Sequence, residues 1–285
     1  MKKHHTTTIL LIAILFAGLF LLLYPTFADW WNSMHQSRAI AAYSEQVAGL
    51  DDNQYESIWS QARAYNHSLT QRENTFALTE EQVAQYNDLL NVGGTGIMGY
   101  VEIPTIGISY PVYHGTDEAI LQIAIGHIEW TSLPIGGESS HCVISGHTGL
   151  PSAKLFTNLN QLEEGDTFML RTLDETLTYE VDQILIVLPH EISALQIVPG
   201  QDYCTLVTCT PYGVNSHRIL VRGHRIENQK EAKAIRVTSN AVMIEPLLVA
   251  PVLAAPVLLV LLIIVLIPRK SRSHRGGKGR RKRFG

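Results

Sequence analysis

The most informative stretch of the sequence is residues 203–211, which read Tyr203-Cys204-Thr205-Leu206-Val207-Thr208-Cys209-Thr210-Pro211. Its first seven residues are rich in aromatic and β-branched side chains and run into a turn signal at Pro211, so they predict a strand from Tyr203 to Cys209. A strand fixes the backbone while the turn after it exposes side chains. Cys209, at the end of this strand, is therefore a candidate active-site residue.

Two other predicted strands also have a chemically reactive or charged residue next to a turn. A predicted strand, His141 to Ser145, runs into Gly146-His147-Thr148-Gly149, and a strand beginning at Arg218 follows the turn after Pro211. Antiparallel pairing of that last strand would bring Arg218 back beside Cys209. A thiolate, an imidazole that exchanges protons and a forked cationic donor are the parts that cysteine-dependent acyl transfer needs.

These residue types have other common roles. A single cysteine at a strand end is usually an inert core thiol, and an arginine that begins an edge strand is usually solvated. Five other histidines are comparable candidates by spacing, namely His114, His127, His141, His190 and His217. No pair of histidines has a compact metal-ligand spacing with cysteine or carboxylate beside it, so no metal site is predicted. The residues alone leave the choice among the histidines open.

From Ile97 onward the sequence consists of short segments with high β propensity, separated by turns rich in glycine, proline and asparagine. Many short strands at this spacing predict a closed barrel or a sandwich. The predicted strands are Met98 to Ile103, Ile108 to Tyr113, His141 to Ser145, Thr167 to Thr172, Leu177 to Val187, Tyr203 to Cys209 and Arg218 to His224.

The region before this β-rich part is helical. Between Ser37 and Leu69 the apolar residues recur with helical spacing and predict two amphipathic helices. The segment Gly49 to Asn53 separates the two helices and provides an N-cap for the second. The polar stretch from Thr70 to Thr79 predicts a loop, and Glu80 to Leu90 predicts a short helix.

Two apolar runs flank the middle of the chain. Residues Ile9 to Ala28 carry no charge and follow two lysines, and Pro246 to Ile267 is an unbroken apolar stretch followed by a basic tail. At about 1.5 Å per helical residue the second run is long enough to cross a bilayer. All 26 acidic residues but only 11 of the 22 basic residues lie between Asp29 and Glu245. This charge distribution predicts that both ends are cytoplasmic and that the middle is extracellular.

Each end of the chain has a competing interpretation. The basic tail can bind nucleic acid, but its position directly after a predicted span favours attraction to anionic lipid, so no nucleic-acid partner is expected. The N-terminal run is either a cleaved signal or a retained anchor, because Thr26 and Ala28 suit a cleavage site, and we favour the anchor.

The chain has three cysteines, Cys142, Cys204 and Cys209, so at least one is unpaired within the chain. Cys142 and Cys204 can form a disulfide or be two small buried hydrophobic residues on strands. We favour buried free thiols.

Three motifs in order carry a resemblance to a known family. The stretch Thr205 to Cys209 matches the TLxTC signature of sortases, and Ser145-Gly146-His147 followed by Gly149-Leu150-Pro151 is similar to the family's histidine segment. Arg218 lies nine residues after the cysteine, where the family has its arginine. The resemblance covers residues of about 90 to 226, and the two predicted spans and helical N-terminal region resemble class C, the pilin-assembling sortases.

The resemblance implies a mainly β fold, an eight-stranded sortase β-barrel with N-terminal helices and flanking transmembrane helices. The expected organisation is an anchor or signal at 1–29, a helical region with a possible lid at 30–92, the catalytic barrel at 93–228, a linker at 229–243, a transmembrane helix at 244–268 and a basic cytoplasmic tail at 269–285.

The resemblance also implies a reaction. Cys209 would attack the threonine carbonyl of an LPXTG-like sorting signal, His147 would protonate the departing glycine amine, and Arg218 would stabilise the oxyanion or position the substrate. A lysine of another pilin subunit would resolve the thioester to an isopeptide bond, without ATP or any other cofactor. The alternatives are a class A-like sortase that attaches surface proteins to peptidoglycan and a non-catalytic extracellular binding module.

One segment departs from the family pattern. Class C sortases usually have a lid with an Asp-Pro-aromatic motif, and the nearest match in this sequence is Asn74-Thr75-Phe76. The aromatic residue is present, whereas the carboxylate and the proline are missing. We therefore expect a lid held by Phe76 rather than by a charge pair.

Overall fold

A computed structural model describes residues 2–72, 76, 78–150 and 153–228. The predicted linker at 229–243, the transmembrane helix at 244–268, the basic tail at 269–285 and the two lid residues Asn74 and Thr75 lie outside the described residues. The chain divides into two units at residues 26 and 27, which are described separately.

The first unit contains the apolar beginning of helix α1, which spans Lys2–Ala48. The segment Ile9–Ala48 is long and apolar enough to cross a membrane, as judged from length and composition. The helix continues through the predicted domain boundary at residue 29, because no glycine or other helix-ending residue stands there.

The second unit begins with two further helices, α2 at Asp52–Leu69 and α3 at Glu80–Asp88. Both begin with a capping box. The Asp51 carboxylate accepts a hydrogen bond from the Gln54 backbone at 2.8 Å, and Thr79 and Gln82 form the equivalent pair before α3. The predicted break between the first two helices, with its N-cap, is confirmed.

Eight strands then form a closed barrel in the order β1-β2-β3-β4-β7-β8-β6-β5. Their bounds are β1 Ile97–Ile103, β2 Ile108–His114, β3 Ile125–His127, β4 Ser140–Ser145, β5 Thr167–Thr172, β6 Glu175–Val187, β7 Asp202–Thr210 and β8 His217–Ile226, with a one-turn helix α4 at Glu118–Leu121 before β3. The eight-stranded barrel is confirmed, and each of the seven strands predicted from the sequence is present. Strand β3 was missed because three residues are too short to show an alternating pattern.

Strands β4 and β7 lie side by side in parallel, and their side chains alternate between the two faces of the barrel. Cys204 and Leu206 of β7 point inward and belong to the barrel core, together with Cys142 and Ile144 of β4. Val207 points outward, and it packs in a separate cluster on the outer surface. Cys209, two residues further on, lies on the outer face as well.

Helix α2 is attached to the barrel by specific polar contacts as well as by apolar packing. The Asn66 side chain pairs with the backbone of Leu133, accepting from its N–H at 2.7 Å and donating to its carbonyl at 3.2 Å. The Tyr65 hydroxyl donates to the Glu129 carbonyl. Because buried polar groups require such partners, these bonds fix the position of α2 on the barrel.

Candidate active site

The loop that carries His147 follows β4 and continues alongside β7. Ser145 is paired with Val207, so two further residues along each strand bring position 147 level with position 209. The ladder continues past the end of β4, because the Gly146 N–H donates to the Val207 carbonyl at 3.1 Å. The Thr208 hydroxyl donates to the Gly146 carbonyl at 2.7 Å. The residues that precede His147 and Cys209 in the two segments are thus joined by hydrogen bonds.

Gly146 is required by close packing at this point. A Cβ atom there would lie 2.5 Å from Cδ1 of Ile125 and 2.9 Å from Cδ2 of Phe156. The Phe156 N–H also donates to the His147 carbonyl at 3.1 Å. These contacts fix the backbone on both sides of the imidazole.

Cys209 and Arg218 are direct partners in the antiparallel pairing of β7 with β8. The pairing expected from the sequence is confirmed. Partners in such a pair project to the same face, so the guanidinium lies on the outer face with the thiol. Its Nη1 donates to the carbonyls of Asn215, at 3.2 Å, and His217, at 3.0 Å, which ties the side chain to the turn between the two strands.

A carboxylate that was not predicted lies beside the imidazole. Oε2 of Glu118, in helix α4, is 3.6 Å from Nε2 of His147, close enough for an ionic contact but too long for a hydrogen bond. The Glu118 side chain is 72 % exposed, so solvent screens the interaction. No local sequence signal marks Glu118, because 29 residues separate it from the histidine.

A cluster of buried apolar side chains lies on the outer side of the sheet near Cys209. We call it the outer apolar cluster, and it consists of Val143, Leu195, Val207 and Leu220, with Trp130 and other half-buried residues packed against it. Phe76 contacts this surface through Trp130, edge to face, with ring centroids 5.1 Å apart. The Phe76 side chain is partly exposed.

The structure separates His147 from most of the competing histidines. His114, His127 and His141 are buried, with both ring nitrogens within hydrogen-bonding distance of protein groups. In His141, Nδ1 donates to the Gln196 carbonyl at 2.8 Å and Nε2 accepts from the Thr205 hydroxyl at 2.7 Å. Burial lowers the pKa of His141, which favours this neutral form. His190 lies three residues after Val187, the last residue of β6, which is paired with Arg218, and His217 lies one residue before Arg218.

The other two cysteines are free thiols in the barrel interior. Cys142 and Cys204 are directly paired positions of β4 and β7, and both are buried. The preference for buried thiols over a disulfide is confirmed.

Comparison with known proteins gives the same family throughout. The sequence model of the sortase domain matches residues 101–226. Sortase SrtE1 of Streptomyces coelicolor is 24% identical over 229 residues, which are 76% of this chain and 56% of that protein. Sortase D of Bacillus subtilis is 29% identical over 131 residues, which are 45% of this chain and 63% of that protein. The chain thus spans less than two thirds of the length of these curated relatives.

Solved structures are more similar. The crystal structure of sortase C1 from Streptococcus agalactiae has 50% sequence identity and a TM-score of 0.66, and the match covers 67% of this chain and 100% of that one. Sortase C from Clostridium perfringens, solved with the C-terminal cell wall sorting motif, has 40% identity and a TM-score of 0.60, with the same coverage of both chains. By its sequence and its barrel, this chain belongs to the sortase family of cysteine transpeptidases, within class C.

Proposed function

We propose that this protein is a pilin polymerase that cleaves LPXTG-like sorting signals and joins the pilin subunits through isopeptide bonds. The proposal rests on the strand register, which brings His147, Cys209 and Arg218 side by side on three adjacent segments of one barrel face. Similarity to class C sortases at 50% and 40% identity supports the choice of substrate.

In the proposed first step, the Cys209 thiolate attacks the carbonyl carbon between threonine and glycine. The Arg218 guanidinium, directly across from Cys209, donates to the developing oxyanion. His147 gives a proton to the glycine amine as the peptide bond breaks, and a thioester to Cys209 remains. No cofactor is needed, because the thioester conserves the energy of the cleaved bond.

In the second step, the amine of a pilin lysine attacks the thioester. A proton passes from that amine to His147, the carbon–sulfur bond breaks, and the Cys209 thiolate is restored. The leucine and proline of the sorting signal would pack on the half-buried side chains at the rim of the outer apolar cluster, which include Val187, paired with Arg218, and Trp130.

The proposed location is the cell membrane, with the barrel outside and both termini in the cytoplasm if the N-terminal anchor is retained. The apolar helix at Ile9–Ala48 supports the anchor, and the charge distribution of the sequence supports the orientation. An impermeant thiol reagent applied to intact cells should label a cysteine placed in the barrel surface. Labelling of a cysteine at Ser273 would contradict this orientation.

The test of polymerase activity uses membranes containing the full-length protein and a pilin that bears an LPXTG-like signal. Covalent, detergent-resistant multimers should form, and mass spectrometry should find threonine joined to a lysine side chain. A pilin in which that lysine is replaced by arginine should form the thioester but no multimer. Transfer to a peptidoglycan amine instead of pilin lysine would favour the class A-like alternative, and absence of any thioester would favour the binding module.

A further inference from the structure

A cavity of about 690 Å³ lies beside the first residues of β4, at the other end of the β4–β7 pair from Cys209. Its lining includes His141 of β4, Trp130 and the segment Leu195 to Ile197. Trp130 and Leu195 also contact the outer apolar cluster, so the cavity and the cluster are continuous. We use the name outer trough for the path along the outer face from Cys209, past the half-buried rim of the cluster, to this cavity.

The wall contributed by helix α2 is positively charged. Arg63, His67 and Arg72 line the cavity from this helix and the residues that follow it, and Glu138 is the one acidic residue among the described residues that line it. The contrast with the middle of the chain as a whole is large, because the segment from Asp29 to Glu245 has 26 acidic residues and 11 basic ones. Such a locally positive site attracts a carboxylate.

Arg72 has an unused donor. Its guanidinium lies over the Tyr65 ring, 5.2 Å from the centroid, and its Nη2 makes a long bond of 3.4 Å to the Ser68 hydroxyl. Its Nη1 is shielded from solvent and has no hydrogen-bond partner in the described part of the chain. An unpartnered buried donor costs free energy, so a carboxylate in the cavity toward which the Arg72 side chain turns would gain a strong hydrogen bond. The bonds of Asn66 to Leu133 hold this helix at a fixed place on the barrel.

The length of the trough indicates which part of a substrate reaches the cavity. His141 precedes His147 by six residues of β4 and the loop after it, which corresponds to about 20 Å at about 3.3 Å per residue. With the threonine carbonyl at Cys209 and the leucine and proline on the outer apolar cluster, an extended peptide brings the three residues before the leucine to the cavity.

We propose that this cavity is a specificity site for an acidic side chain in the segment that precedes the sorting signal, with Arg72 and Arg63 as its ligands. The inference rests on the proposed function, because it takes the direction of the bound peptide from that reaction. Its test is therefore a binding measurement that needs no catalysis.

The experiment uses full-length Cys209→Ala protein in membranes and fluorescent peptides that share one LPXTG motif. The three preceding residues are glutamate, glutamine or lysine. The glutamate peptide should bind about tenfold more tightly than the glutamine peptide, as expected for one hydrogen bond to a charged group. The lysine peptide should bind most weakly. Equal Kd values for all three would overturn the proposal.

Substitutions then locate the effect. Arg72→Gln should abolish the preference for glutamate and leave the Kd of the glutamine peptide unchanged, and Arg63→Gln, at an exposed position, should reduce the preference. Arg38→Gln, the same change of charge at an exposed site on α1, is the matched control and should have no effect. The assignment would be overturned if Arg72→Gln weakened binding of the glutamate and glutamine peptides equally while Arg63→Gln kept the preference for glutamate. That result would show that Arg72 has a structural role. Cleavage of the glutamine peptide by the wild type tests the proposed function separately.

Discussion

Strand β7 has two cysteines on opposite faces of one barrel, and their surroundings differ in every respect that controls thiol chemistry. Cys204 faces the core, is completely buried and is next to Cys142. Burial raises the pKa of the Cys204 thiol and keeps it protonated. Cys209 faces outward, is half-buried, and lies level with His147 and Arg218. Reactivity therefore depends on which face of the strand holds the sulfur, since the thiolate is the nucleophile.

The largest expected effect comes from the outer cysteine. Cys209→Ala should abolish thioester formation and polymerisation, because no sulfur remains beside the imidazole. Cys204→Ala, five residues away on the inner face, is the matched control and should retain the thioester, with a modest loss of stability from the smaller core side chain. Mass spectrometry of enzyme trapped with pilin distinguishes them. A thioester on Cys204 would show that the inner cysteine, and not the outer one, is the nucleophile.

Removal of the imidazole should have the next largest effect. His147→Ala should lower the turnover rate by about 10² to 10⁴-fold, the usual contribution of general acid–base catalysis. The matched control is His217→Ala, a half-buried histidine near the same end of the barrel. Steady-state cleavage of an LPXTG peptide measures both rates. If His217→Ala alone lost activity while both variants stayed folded, the acid–base role would move to His217.

A subtler change tests the guanidinium. Arg218→Lys keeps the positive charge but loses the forked donors, so turnover should fall by about 10²-fold, as for loss of one oxyanion donor. Arg222→Lys is the control on the same face of β8, where the arginine is bound to Asp182 at 2.9 Å instead. Normal turnover by Arg218→Lys would show that charge alone suffices at this position.

The smallest effect concerns access to the outer cysteine. We propose that the segment around Phe76 partly covers the trough through the contact of Phe76 with Trp130. Phe76→Ala should increase the rate at which a small thiol reagent modifies Cys209 by about three- to tenfold, because partial burial of an aromatic ring stabilises a closed state by no more than about 1.5 to 3 kcal/mol. Asn74→Ala should change the rate little.

The converse substitution sharpens this test. Introducing aspartate at position 74 and proline at position 75 should slow modification of Cys209, since proline restricts the open loop and aspartate adds a charge that can pair with a nearby cation. Identical labelling rates in the wild type, Phe76→Ala and the Asp-Pro variant would show that this segment does not cover the trough. The inner cysteines should stay unreactive in all of them.

Several parts of the fold were accessible from the sequence because they depend on local patterns. The strand from Tyr203 to Cys209 was recognisable from its side chains and the proline after it, and the capped start of α2 from Asp51. Strand β3 was not recognisable, because three residues give no period.

The candidate site shows the same division. Cys209, His147 and Arg218 were selected by three motifs, and the antiparallel pairing of the last strand followed from its short connecting turn. Glu118 and the positive cavity wall at Arg63 and Arg72 were not found. Their partners are distant in the chain, and no repeating spacing links residues that meet only when a helix packs on the barrel.

The sequence by itself determined the family, the order of strands along the chain and the residue types of the acyl-transfer site, because motifs and periodicity are local properties of the chain. Only the tertiary structure decided which side of the barrel each cysteine faces and that position 147 lies beside position 209. It alone placed Arg63 and Arg72 beside the far end of the trough. The physical reason is that strand register and helix docking arise from hydrogen bonds and packing between segments far apart in sequence.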